Sequence, residues 1–354
     1  MRLGIRLLIV VAFTLLLSSP KLISKGSADS GANHQGRNTH FGVSGGNVND
    51  ATSRFCCSGT LGALVTDGAN SYILSNNHVL GLSGQANAGD DVSQPGLIDN
   101  GCIVSTVVAD FTAAPQLGPS NVDAAIAQLR PGLMDASGFI EDIGVPSSIV
   151  RTPAVGLSVA KSGRTTGFTT GTVGSINTSV SVQYQRGCGQ GKKFVVSFTN
   201  QVVINSSTFS AGGDSGSLIV TNDSNHQPVA LLFAGSSTTT IGNPVGQVLT
   251  QVSNALGRTV SFVGTTQAMS IETLASNSPL PQDMELANAA KNRHERELMS
   301  RPGVIGVGVG AADNSAAGAV VVYIDRTMGR VPAMPESVDN VKVRVVLTDP
   351  FLAY

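Results

Sequence analysis

Residues 211–220 read AGGDSGSLIV, a serine enclosed by three glycines with an acid directly before it. Gly212, Gly213 and Gly216 remove side chains where the backbone turns sharply or something comes close. Asp214 sets a carboxylate inside that turn, and Leu218-Ile219-Val220 then starts an apolar run of strand type. A hydroxyl held in such a turn is a nucleophile only if a base can take its proton, because free serine is a weak nucleophile at neutral pH. The base is expected to be a histidine, oriented by an acid.

His78 ends the apolar run YILSNNHVL, residues 72–80, and Asp123 opens the run VDAAIAQL, residues 122–129. Both stand at strand boundaries, from which a side chain can reach a cleft. The chain order is histidine, aspartate, serine. An α/β-hydrolase elbow, G-x-S-x-G, is excluded: the five residues here are Gly213-Asp214-Ser215-Gly216-Ser217, and the acid-then-histidine order is not supplied downstream. Asp90, Asp91, Asp99 and Asp110 also lie between His78 and Ser215, but none of them opens an apolar run as Asp123 does.

The rest of the chain is turn-rich and β-patterned. Of 354 residues, 22 are Lys or Arg and 23 Asp or Glu, so net charge argues for neither nucleic acid nor an acidic partner. Short runs such as GTLGALV, CIVSTVVADF, GLSVAKSG, TTGTVGSI, KKFVVSFTNQVVI and PVALLFAGS alternate with turn signals, which predicts antiparallel barrels or sandwiches. A Pro-containing connection at 145–155 divides them into two β units. Arg2, Arg6 and the apolar run Leu7–Leu17 read as an export signal over 1–28, with Gly26-Ser27-Ala28 one candidate for cleavage. The run falls short of the ~20 residues a spanning helix needs, so export without stable membrane insertion is expected. Residues 29–42 read as a polar, mobile lead-in or short pro-segment.

Beyond VSFVG the pattern changes. Residues 264–282 read as a linker, and MELANAAKNRHERELMSR as a helix that Asp283 can cap. PGVIGVGVG, AVVVYID and VKVRVVLTD follow as three strands, giving a small α+β domain over 283–354. Four cysteines, Cys56, Cys57, Cys102 and Cys188, fit one or two disulfides in an oxidising compartment. Three pairings are open. Adjacent cysteines are poor partners for each other, and the reading leans to Cys102 with Cys188, leaving the vicinal pair without an assignment. No Cys or His spacing points to zinc, so neither metal nor other cofactor is expected.

Together the segments SNNHV, VDAAIAQL and GGDSGSLIV, with KSGRTTGFTTGTV at 161–173 and VSGGNVNDATSRFC at 43–56, resemble the trypsin-like (chymotrypsin-clan) serine peptidases. They are similar above all to the bacterial streptogrisin and α-lytic group and to narrow-leaf-type peptidases. The resemblance covers 43–263. It implies two six-stranded antiparallel β-barrels packed together, followed here by the small α+β domain. It also implies a serine endopeptidase acting on polypeptides through an acyl-enzyme, with Ser215 as nucleophile, His78 as base then acid, and Asp123 as orienting carboxylate. Gly213 and Ser215 would supply the oxyanion N–H groups, and Asp214 would be buried and paired. Phe209 and Ser210, facing Ala234, Gly235 and Ser236, would line a shallow or apolar substrate pocket, and no acid is present there to select Arg or Lys. The sequence departs from the pattern where Val79, not cysteine, follows His78. The competing expectation is a silent barrel that binds peptides or partners.

Overall fold

The computed structural model describes residues 32–189, 191–266, 279–313, 316–329 and 331–353. The expected signal segment 1–28 and most of the expected linker, 267–278, lie outside the described residues. A one-turn helix, α1 (Ala32–Gln35), precedes the first strands. These are β1 (Val43–Asn47), β2 (Gly59–Leu61), β3 (Ala63–Thr66) and β4 (Ser71–Ser75), the short helix α2 (Asn77–Leu80), then β5 (Asp91–Gln94), β6 (Thr106–Ala113) and β7 (Ala125–Leu129). They pair in the order β3-β4-β7-β6-β5-β1-β2. β2 leads into β3 through Gly62 alone, so the ends of the sheet are one segment of chain and the sheet curls into a barrel. Leu61, Leu64, Ile73, Leu74, Val108 and Ile126 belong to its buried core cluster, each at most 2% exposed.

The second unit comprises β8 (Ser158–Gly163), β9 (Gly167–Gln185), β10 (Lys193–Asn205), β11 (Leu218–Thr221), β12 (Pro228–Gly235) and β13 (Thr239–Pro244). β8 pairs β9, β9 pairs β10, β10 pairs β13, β13 pairs β12, β12 pairs β11 and β11 returns to β8. All six pairings are antiparallel, so this ring is a closed barrel. Helix α3 (Val245–Leu256) then leads to β14 (Ser261–Phe262), which adds to β3 of the first barrel and ties the two together. The expected pair of antiparallel barrels is what the chain forms.

Three findings differ from the sequence reading. The lead-in is packed rather than mobile from His34 onward: Phe41 is fully buried, and His34 bonds the Gly42 carbonyl at 3.1 Å and Asp142 at 3.0 Å. The disulfides join Cys56 to Cys102 and Cys57 to Cys188, not Cys102 to Cys188. Neighbouring side chains on extended backbone point to opposite sides, so the vicinal cysteines reach two different partners, each across a 5.6 Å Cα–Cα span. The later helix, α4 (Pro281–Met299), begins ahead of Asp283, with proline in its first turn and Leu280 at the cap position.

After α4 come β15 (Val304–Ala311), β16 (Gly318–Asp325), β17 (Ser337–Val338), β18 (Val341–Thr348) and β19 (Phe351–Ala353). β15 pairs with β9 and extends the second barrel's sheet through β16, β18 and β17. β19 lies apart from that extension and pairs with both β12 and β9. Among the described residues no helix is long and apolar enough to cross a membrane.

Candidate active site

The loop before β11 shows why its glycines are required. Gly213 and Gly216 have φ of +97° and +96°, in the left-handed region that side chains disfavour. A Cβ on Gly216 would also stand 2.2 Å from both the Thr60 carbonyl and the Ser75 hydroxyl. Gly212 has open space around it and no such requirement. The loop is stitched to the first barrel: the Thr60 N–H donates to the Ser215 carbonyl at 2.8 Å, and the Thr60 hydroxyl to the Gly213 carbonyl at 2.9 Å.

Asp214 holds the loop from inside. Its fully buried carboxylate accepts from the Thr165 N–H (2.8 Å), the Thr166 N–H (3.1 Å), the Thr166 hydroxyl (2.7 Å) and the Ala211 N–H (2.9 Å). Lys161, equally buried, lies 3.6 Å away, and burial pushes its amine below the ordinary lysine value against the pull of Asp214. The GRTTG turn between β8 and β9 is therefore the cradle of the serine loop. Its Arg164 is in turn fixed by two 2.6 Å contacts to Asp99.

His78 sits on α2 directly after β4, and Asp123 immediately before β7, which pairs with β4. That pairing brings them together. His78 Nδ1 lies 2.6 Å from Asp123 Oδ2, and the His78 backbone N–H donates to Oδ1 at 3.1 Å. With Nδ1 donating to the carboxylate, Nε2 is the ring nitrogen that carries the lone pair. Asp123 is fully buried and its backbone is pinned as well: its N–H donates to Asn243 Oδ1 at 2.9 Å, and Asn76 Nδ2 donates to its carbonyl at 2.7 Å.

Sequence reasoning missed Tyr184. Its hydroxyl donates to Asp123 Oδ2 at 2.8 Å, and its ring stands edge-on to His78 with centroids 6.0 Å apart. Burial, followed by the Asp123 charge, pushes the phenol well above its ordinary value, so it stays a donor. Tyr184 reaches the site because β9 runs past the barrel, and the Cys57–Cys188 bridge clips the turn after β9 to the site. The available signal was Cys188, four residues downstream. A partner at Cys57, near the histidine segment, would have folded this hairpin inward.

His78, Tyr184, Gly212, Gly213, Arg164 and Asp50 line one open cavity of about 420 Å³. Ser215, two residues beyond the cavity-lining Gly213, is fully buried and not itself among the lining residues; its hydroxyl donates to the Phe233 carbonyl at 3.2 Å. The Gly213 and Ser215 N–H groups have no acceptor among the described residues. The residues expected to form the substrate pocket, Phe209, Ser210, Ala234, Gly235 and Ser236, are not among those lining this cavity, although Ala353, which does line it, pairs with Ala234. Phe209 is fully buried in the core of the second barrel, Ser210 bonds Thr240 at 2.5 Å, Ser236 bonds Thr348 at 2.5 Å, and Ala234 and Gly235 pair with β19.

Asp50 brings an acid to the wall of this cavity. Its carboxylate lies within 4.8 Å of the bridged Cys57 and Cys188 sulfurs. Burial there raises its pKa from 3.8 to about 6, opposed by the charge of His78. A raised carboxyl pKa means that the folded state holds its proton more tightly than the unfolded one. Stability from this group is thus present below pH 4 and lost as pH rises through 6. Asp50→Asn is expected to be more stable than the parent by about 1–3 kcal/mol at pH 8, with no such gain at pH 4. Urea unfolding at the two pH values checks this.

Residues 74–236 match the model of Peptidase family S64. No curated protein matches the chain. Several solved structures are similar at low identity. A glutamic acid specific serine protease utilizing a novel histidine triad in substrate binding is 22% identical, covering 63% of this chain and 98% of that one, with a TM-score of 0.44. Thermobifida fusca Protease A is 18% identical, covering 64% and 99%, with a TM-score of 0.44. A Cellulomonas bogoriensis chymotrypsin is 18% identical, covering 64% and 99%, with a TM-score of 0.42. The match over 74–236 is thus a similarity to a serine peptidase family.

Proposed function

We propose, with that family match as premise, that the chain is an exported serine endopeptidase, its peptidase unit at 43–263 followed by an α+β unit at 283–354. The observation that carries this reading is the buried Asp123 carboxylate, 2.6 Å from His78 Nδ1, beside the cavity onto which Gly213 opens. The Ser215 hydroxyl turns from the Phe233 carbonyl toward His78 and attacks the carbonyl carbon of the substrate's scissile peptide. Its proton passes to His78 Nε2, and Asp123 stabilises the resulting imidazolium. The Gly213 and Ser215 N–H groups take the charge on the carbonyl oxygen, where one donor is worth about 3 kcal/mol. As the C–N bond breaks, His78 returns the proton to the leaving amine, and the acyl group stays on Ser215. Water, deprotonated by His78, then releases the acid and restores the hydroxyl. Phe209, Ser210, Ala234, Gly235 and Ser236 remain the proposed surroundings of the primary pocket, and two disulfides suit an oxidising compartment.

Tyr184 acts in this scheme as a positioning residue, sharing the Asp123 carboxylate with His78. Without its hydroxyl the carboxylate is more basic and holds the imidazolium more tightly. Tyr184→Phe is expected to lower kcat/KM by about tenfold and to move the acidic limb of the pH profile upward, while His78→Ala lowers activity by about 10⁴-fold or more. Initial rates on a quenched peptide from pH 5 to 9 test both. Retention of activity in folded His78→Ala would sink the reading.

A further inference from the structure

β12, whose Phe233 carbonyl accepts from the Ser215 hydroxyl, takes up a further strand from the chain itself. β19 pairs antiparallel with the end of β12, Ala353 opposite Ala234 and Leu352 opposite Gly235. On its other side it pairs in parallel with β9, Phe351 opposite Val182 and Leu352 opposite Gln183. Numbering forward along β19 moves backward along β12, toward Phe233, whose carbonyl holds the Ser215 hydroxyl. The strand therefore runs toward the nucleophile, and Ala353 lines the same cavity as His78 and Gly213.

The segment is anchored at two levels. Phe351, 1% exposed, packs in a cluster with Val182, Phe198, Phe233 and Tyr323, its ring 5.9 Å from that of Tyr323. Just before it, Thr348 bonds Ser236, and Asp349 is held by Ser237 and by Arg326 at 2.7 Å. Leu352, by contrast, is 41% exposed and is held through its backbone. An apolar anchor, a backbone ladder on both sides and an outward neighbour are the features by which a sheet edge takes up an extended peptide.

We infer that the slot between β9 and β12 is the peptide-binding surface of this site, and that residues 349–353 fill it in cis. An incoming polypeptide with an aromatic residue at the Phe351 position and a small one at the Ala353 position must displace β19 before it can reach Ser215. The inference rests on the cleft assignment above, but its test involves no catalysis.

The probe is a fluorescein-labelled peptide LTDPFLA, residues 347–353, titrated into the Ser215→Ala chain and into Ser215→Ala/Leu352→Pro. Proline at 352 removes a ladder N–H while leaving the Phe351 side chain in place. A tethered strand competes at an effective concentration near about 1 mM, so the double variant is expected to bind the peptide about tenfold more tightly or better. Equal affinity for the two chains, or saturable binding to neither, overturns the inference. Should the double variant fail to fold, amide exchange in Ser215→Ala serves instead. Excess unlabelled peptide is expected to speed exchange at 351–353 several-fold, and unchanged exchange overturns the inference. Failure of the catalytic reading registers separately, as absent covalent labelling at Ser215.

Discussion

Ser215→Ala is expected to abolish peptide hydrolysis, lowering kcat by about 10⁴–10⁶-fold, with the fold intact. Stability should hardly change. The loop's shape comes from Gly213, Gly216 and the buried Asp214, and the serine side chain contributes one 3.2 Å bond to the Phe233 carbonyl. Near-UV circular dichroism and urea midpoints within error of the parent, alongside lost activity, would separate chemistry from structure. The Ser215 carbonyl would still accept from Thr60, because that bond belongs to the backbone. A chain that loses activity and stability together would instead assign the hydroxyl a structural role.

Asp214→Ala is expected to have the largest effect on stability. It removes a carboxylate with four hydrogen-bond donors and leaves the Lys161 ammonium buried, 3.6 Å from an empty position. Breaking a buried pair from one side costs about 3–5 kcal/mol, because the remaining charge is neither solvated nor paired. Part of that cost can be relieved if Lys161 gives up its proton, which its burial already favours. The variant is therefore expected to recover some stability as pH rises from 7 to 9, while the parent does not. Activity should fall too, since the Gly213 and Ser215 N–H groups depend on this loop. Urea titrations at both pH values decide it, and a loss below about 1 kcal/mol would show that the Thr165–Thr166 turn holds the loop without the acid.

Local chemistry explains what was legible in the sequence. GGDSGSLIV, SNNHV and VDAAIAQL each combine a reactive group with a strand boundary, so the candidate triad and its order could be read directly. The barrels were legible because each strand carries its own run and turn. What could not be read was long-range. TTGTVGSI read as a short strand, yet β9 runs 19 residues and, with the 13-residue β10 that KKFVVSFTNQVVI nearly matches, projects a hairpin toward the site. Tyr184 matters only because that hairpin folds inward, and the inward fold depends on which cysteine Cys188 meets. Adjacency argued against a Cys56–Cys57 bridge but pointed to no partner for either, and the lean to Cys102 with Cys188 was wrong. FLA at 351–353 is a still harder case. Three residues carry no periodicity, and their partners lie well over a hundred positions upstream.

The central claim is that Ser215 is a nucleophile assembled with His78. Mass mapping of a fluorophosphonate adduct tests it most directly, in the intact chain, in Leu352→Pro, and in each with Ser215→Ala. The account predicts an adduct on the peptide carrying Ser215 that vanishes with the alanine. An adduct that survives the substitution, or no adduct on either serine-bearing chain, would contradict it.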